Sequence, residues 1–181
     1  MSQILDNLIQ ASIPFLRIEA ATLRAWKREM SDPRDGRVGP WNYEAQFTVL
    51  DAKTWSRPGE VLYFLTDSAD RLRLVGESGG KLKWRWKEVP MTDVSTKQLL
   101  GRRALFHTTA WPAIEAGMSN ERAPFTVRAL FRPELEALCR KIGGPLADAL
   151  DKPEDKKKLS YHVETWIRET FRAPLALWNR N

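Results

Sequence analysis

The sequence predicts a mixed α/β fold in which a small sheet is flanked by helices. Two short apolar runs, Val61–Thr66 and Arg71–Gly76, flank the polar stretch Asp67-Ser68-Ala69-Asp70 and read as a β-hairpin. Apolar residues recur at helical spacing over 133–150 and again from about Leu159 to Phe171. With 43% hydrophobic residues in 181 positions, the chain can bury the core of one domain, or of a small domain with a terminal extension.

At the N-terminus, Ile4, Leu5, Leu8 and Ile9 keep an i, i+3, i+4 stripe, and Ile18, Leu23 and Trp26 continue it less regularly. Residues 3–29 are therefore expected to be mostly helical, with a break near Pro14. Ser31 to Pro40 is turn chemistry throughout and reads as a loop. Its Arg34, Asp35 and Arg37 suit either solvent or a backbone phosphate. Residues 43–50 read as a strand, and after Gly79-Gly80 a short basic helix is expected from Lys81 to Glu88. Further strands are expected over 104–109 and 125–131. The helix after Arg132-Pro133 carries Leu135, Leu138, Ile142, Leu146 and Leu150 on one face, with a break or kink at Gly143-Gly144-Pro145. A charged linker, Asp151–Lys158, leads to the last helix, and Pro174 is expected to end regular structure.

Composition narrows the function. The chain has 29 basic against 23 acidic residues, which favours a polyanionic partner. The eight tryptophans suit core, base stacking or a dimer interface equally. No apolar window is long enough to span a membrane. Met1 to Asp6 has neither a basic nor an apolar leader region. The single cysteine, Cys139, forms no internal disulfide and sits at a buried helical position, so a reducing, cytoplasmic setting is expected. One cysteine and two distant histidines do not make a zinc set.

Taken by pattern alone, several residues have ordinary readings. Tyr63 reads as a sheet aromatic, and Arg85 as one cation of a basic helix that also holds Lys81, Lys83 and Lys87. Glu164 reads as a helix-surface glutamate that can pair with Arg168 at i+4. Gly76 permits close packing. His107 and His162 read as hydrogen-bonded structural residues.

The order of four segments adds to this. Pro58-Gly59-Glu60-Val61-Leu62-Tyr63-Phe64-Leu65 is followed by Leu74-Val75-Gly76-Glu77-Ser78, then by Leu82-Lys83-Trp84-Arg85-Trp86, and later by Glu164-Thr165-Trp166-Ile167 with Pro174 and Asn179. Over 58–86 and 164–179 the chain resembles the GIY-YIG nuclease family. There a strand ending in the first motif pairs with one ending in the second, and a helix bearing an arginine follows. The resemblance implies a nuclease core over 56–181 with an insertion around 90–158, preceded by an N-terminal helical extension over 1–55. It implies metal-dependent hydrolysis of phosphodiester bonds in double-stranded DNA, of the restriction, repair or mobile-element kind. Tyr63 would orient or deprotonate water, Arg85 would clamp the scissile phosphate, and Glu164 would hold Mg²⁺ or Mn²⁺. Gly76 and Asn179 would support the site, and His107 or His162 would act as an accessory base, as in some restriction enzymes of the family. Lys81, Lys83, Lys87 and Arg73 would bind DNA, and a homodimer would supply two sites for two strands.

One position departs from the pattern. Leu74 stands where the second motif carries a tyrosine, so Tyr63 acts with another group or the site is degenerate. A catalytically degenerate DNA-binding module is therefore the main alternative. A structural protein with a tryptophan-built partner surface is the third.

Overall fold

The computed structural model describes residues 3–31, 38–86, 88–93, 96, 99–104, 124–151 and 158–175. Its elements, in chain order, are α1 (Gln3–Ala11), β1 (Ile13–Ser31), β2 (Val38–Val49), α2 (Ala52–Ser56), β3 (Val61–Thr66), β4 (Leu72–Ser78), α3 (Leu82–Trp86), β5 (Glu88–Asp93), β6 (Leu99–Ala104), β7 (Phe125–Phe131), α4 (Arg132–Ile142), α5 (Pro145–Leu150) and α6 (Leu159–Leu175). The class is mixed α/β, as the periodicities predict. The strands run in the order β4-β3-β7-β1-β5-β6, with β2 on the remaining side of β1. Every pairing is antiparallel.

β3 explains why both faces of this sheet are covered. Its sequence, Val-Leu-Tyr-Phe-Leu-Thr, has no polar alternation, and all six residues are buried. Val61, Tyr63 and Leu65 face a cluster with Phe15, Ile18, Leu74, Leu82, Trp86, Phe125 and Val127. Leu62 and Phe64 face the other way, with Val75 and Leu130, against Leu5 and Leu8 of α1, Leu135 and Cys139 of α4, and Leu159, Val163 and Ile167 of α6. Burial pushes the Cys139 thiol up to about 11, so it packs as a small apolar side chain and is not a reactive thiolate.

Residues 13–31 correct the expected N-terminal helix: α1 stops at Ala11 and a strand follows. Ala, Leu, Arg, Lys and Met favour a helix locally, but β1 is held on both sides, by β7 through Ile18↔Phe125 and by β2 from Leu16↔Val49 to Ser31↔Val38. From Ala20 on, the ladder with β2, joined by β5 at Met30 and Ser31, overrides propensities of less than about 1 kcal/mol per residue. Pro14 lacks an N–H, and the β1–β7 register shifts between Pro14 and Leu16, where the ladder is already interrupted. The segment is thus integral to the sheet, and only α1 is helical before residue 52 among the described residues.

Other boundaries move less. Val38, Gly39 and Pro40, expected in a loop, begin β2, and Glu88 opens β5 instead of ending the basic helix. Of the strand expected at 104–109, Ala104 ends β6 and the rest lies outside the described residues, as do residues 32–37 and 152–157. Gly143 and Gly144 take φ of +74° and +57° and separate α4 from α5 at the expected break. α6 continues past Phe171 and carries Pro174 within its last turn.

Two carboxylates, Asp67 buried and Glu60 half-buried, fix the elements beside β3. Asp67 closes the β3–β4 hairpin. Its Oδ1 accepts from the backbone N–H groups of Ala69 (2.9 Å) and Arg71 (3.0 Å). Its Oδ2 accepts from Arg71 Nε (3.1 Å) and from Arg73 Nε (2.9 Å) and Nη2 (2.7 Å). Arg73, expected to bind DNA, is buried and committed to this carboxylate, so its fork is not a phosphate contact. Glu60, one residue before β3, reaches the start of α6. Its Oε1 accepts from Ser160 N (2.7 Å) while its Oε2 accepts from Arg132 Nη1 (2.9 Å). It caps a helix that starts about a hundred positions later, satisfying one N–H that the helix itself cannot.

The Asp67 network sets an acid limit on stability. Burial pushes its carboxyl up, but hydrogen bonds from Arg73 and from the Arg71 and Ala69 backbone outweigh burial and hold it below the usual range. A depressed folded pKa stabilises the fold above the unfolded value and loses that contribution as pH falls through the folded one. Thermal melts of the wild type should therefore weaken as pH drops below about 4. Asp67→Asn strands the Arg73 charge and should cost about 3 kcal/mol at pH 7, with a shallower acid limb. A melting temperature for Asp67→Asn within error of wild type at pH 7 would contradict this role.

Candidate functional site

Tyr63 lies mid-strand on β3, directly opposite Gly76 of β4 and Ala129 of β7. These small partners leave room for its ring, which extends over Gly76. A Cβ at Gly76 would overlap the Tyr63 hydroxyl and ring carbons. Trp86 of α3 meets the ring edge-on, with centroids 5.5 Å apart and an interplanar angle of 82°. Tyr63 is fully buried. Leu74, two residues before Gly76, packs in the same cluster, so the position where the motif tyrosine would stand belongs to the core.

Arg85 lies on α3 between two anchoring positions. Leu82 and Trp86, four apart, are buried against the Tyr63 face and hold this short helix to the sheet. Lys81 and Lys83 are half-buried at its start. The basic helix thus belongs to the layer that covers Tyr63.

Glu164 belongs to the opposite layer. Val163 and Ile167 turn α6 onto the other face of the β3–β4 hairpin, beside Val75 and Phe64. The Glu164 side chain is 13% exposed, with Arg168 Nη1 at 3.6 Å. That is the i+4 pair the spacing allows, too long for a strong hydrogen bond. Glu77, next to Gly76, turns toward the α6 layer, where Lys158 Nζ comes to 3.7 Å of its Oε2. This Oε2 is buried and accepts no hydrogen bond among the described residues. The Lys158 ammonium also lies where a Cβ at Gly79 would sit.

Tyr63 and Glu164 are therefore separated by the thickness of the hairpin. The α3 layer and the α6 layer lie on opposite faces of the hairpin, and β4 is the outermost strand of the sheet. Over Gly76 to Gly80 the chain leaves that edge, with the Tyr63 hydroxyl on one side and the Glu77–Lys158 pair on the other. Lysines line its exit into α3. His162 does not join this group: two residues from Glu164, it lies on nearly the opposite side of α6. It lines a cavity of about 240 Å³ with Pro145, Asp148, Trp166 and Glu169. His107, Lys87 and Asn179 lie outside the described residues.

A buried carboxylate oxygen without a donor is costly unless positive charge approaches it, and Glu77 Oε2 is such an oxygen. Among the described residues no three metal-binding side chains converge. A single carboxylate with waters completing the shell is a common way to hold Mg²⁺, and Glu77 Oε2 is one such oxygen. Sequence reading selects Glu164 but does not reveal the links from Glu60 to Ser160 and from Glu77 to Lys158, because their partners are far apart in the chain. No helix among the described residues is long and apolar enough to cross a membrane. The chain matches no family model, no curated protein and no solved structure with which it was compared.

The seating of Tyr63 on Gly76 gives a direct test of this geometry. Gly76→Ala should destabilise the protein by about 1–3 kcal/mol through overpacking. In a Tyr63→Ala background the same change should cost far less, because the ring it collides with is gone. A double-mutant cycle with no coupling between the two positions would show that the ring does not rest there.

Proposed function

We propose that this protein is a metal-dependent endonuclease acting on duplex DNA, with its chemistry at the outer edge of β4. The observation that supports the reading is the seating of Tyr63 on Gly76 of β4, the outermost strand. The resemblance of these segments to GIY-YIG nucleases supports the same assignment of roles.

Hydrolysis of a phosphodiester needs an oriented water, a route for its proton, and positive charge around the phosphate oxygens. Tyr63 would orient the water through its hydroxyl, which is fully buried, so α3 and its Trp86 must lift from the ring for the water to reach it. Its pKa of about 10 in free form makes it an orienting group first and a base only beside positive charge. Arg85 offers a planar fork that grips two phosphate oxygens. Lys81 and Lys83 draw the backbone toward that fork. Glu164, together with Glu77, would hold Mg²⁺ or Mn²⁺, which when bound supplies charge to the phosphate and acidifies the attacking water. Two copies of the chain would present one site to each strand.

A second reading has its own observation. Leu74 is packed in the core and Tyr63 is fully buried, which leaves one phenol, beneath α3. In that reading the fold binds DNA without cutting it.

Supercoiled plasmid incubated with Mg²⁺ or Mn²⁺ separates the two. Cleavage is expected with the wild type and should be lost in Glu164→Gln, whose melting temperature and DNA affinity should stay close to wild type. Tyr63→Phe should slow cleavage by about 10²–10⁴-fold, the usual contribution of a proton-handling group. DNA binding without cleavage under any divalent metal would favour the binding module. Cleavage by Glu164→Gln at the wild-type rate would overturn the carboxylate's role.

A further inference from the structure

A cavity of about 300 Å³ opens at the turn end of the β3–β4 hairpin, the end away from Gly76 to Gly80. It is lined by Asp6, Ile9 and Gln10 of α1, by Thr66 and Asp70 of the hairpin, and by Arg128 of β7. Its volume is at the small end of the range for ligand pockets. None of these residues belongs to the candidate site at the β4 edge.

Strand alternation aims two polar side chains into it. Thr66 shares a face with Leu62 and Phe64, and Arg128 shares one with Leu130, which is the face that α1 covers. Arg128 Nε donates to Ile9 O (3.1 Å) and Ser12 Oγ (3.0 Å), and its Nη2 donates to Ser12 O (2.8 Å). These bonds serve carbonyls that the end of α1 leaves open, and they fix the plane of the guanidinium. Its Nη1 donates no hydrogen bond among the described residues. Thr66 is only 2% exposed, and its hydroxyl likewise makes no hydrogen bond among the described residues. A buried hydroxyl without a partner is costly, and a ligand oxygen relieves that cost. Asp6 and Asp70 bring two carboxylates that form no ion pair among the described residues.

We propose that this cavity binds a small zwitterion, a free α-amino acid. Its carboxylate takes Arg128 Nη1 and the Thr66 hydroxyl, and its ammonium takes Asp6 and Asp70. A ligand with only negative charge would meet two carboxylates, and one with only positive charge would meet the guanidinium. A molecule carrying both meets each group with its opposite. Ile9 is the one apolar residue of the lining, which suits a compact side chain.

The test follows backbone amide resonances of the full chain during titration with glycine, L-alanine and L-serine. Propionate and ethylamine are titrated beside them, since each keeps one of the two charged groups of L-alanine. Saturable shifts are expected at Gln10, Thr66, Asp70 and Arg128 with at least one amino acid. Propionate and ethylamine should bind at least about tenfold more weakly. Thr66→Val keeps the shape, has no hydrogen bond to lose in the free protein, and should weaken amino-acid binding about tenfold. Asp70 has φ of +55°, which asparagine also adopts, so Asp70→Asn removes charge without adding strain. Together with Asp6→Asn it should weaken amino-acid binding and leave propionate binding no weaker. No saturable shift with any of the three amino acids overturns the proposal. Propionate binding as tightly as L-alanine would show an anion site only, and ethylamine doing so a cation site only; either overturns it. Amino-acid binding unchanged in both Thr66→Val and Asp6→Asn/Asp70→Asn overturns it as well. None of these outcomes bears on the nuclease reading, whose residues lie outside this cavity.

Discussion

Tyr63 can lie flat against β4 only because position 76 carries no side chain. That close approach sets what surrounds it. The ring fills the space above the hairpin, Trp86 meets its edge, and Leu82 and Trp86 draw α3 down onto the same face. Any larger residue at 76 would lift the ring and, with it, the helix that carries Arg85. The opposite face of the same strands is committed to α6 through Val75 and Phe64. Because β3 is buried on both sides, neither layer can shift without exposing the other's apolar surface.

Charged groups inside this arrangement are held by specific partners. An ion removed from water without compensation costs several kcal/mol, so Asp67 collects five donors at the hairpin turn and Glu60 joins Arg132 to the start of α6. These carboxylates fix where α6 begins and how the hairpin closes. Glu77 differs: its Oε2 is buried, and the Lys158 ammonium near it stands at more than hydrogen-bond distance. Such a carboxylate is satisfied better by a closer cation than by the present pair. It sits on β4, the outermost strand, on the side of the Glu164 layer.

Local chemistry makes part of this legible in the sequence. Val61–Thr66 and Leu72–Ser78 announce a hairpin because apolar runs flank Asp67 to Asp70, and Gly143-Gly144 announces the α4–α5 break. The burial of Cys139 follows from its helical spacing. β1 is not legible, because Ala21 to Met30 favours a helix locally and is a strand through its pairing with β2, the next element, and with β5 at its end. Arg73 looks like a free cation on an alternating strand, yet the turn residue Asp67 takes two of its nitrogens. Tyr63, Arg85 and Glu164 can be picked from motif order. Their separation into two layers cannot, since it depends on which face of β3 each helix covers.

On the proposed function, a divalent cation and the phenol are brought together at the β4 edge, between those layers. Paramagnetic line broadening by Mn²⁺, read from the backbone amide resonances of the full chain, tests this most directly. At low Mn²⁺, selective broadening is expected for the amides of Gly76 to Gly80 and of Val163 to Arg168, and it should disappear in Glu164→Gln. Broadening confined to other residues, such as those lining the cavity around His162, or broadening unchanged in Glu164→Gln, would contradict the assignment.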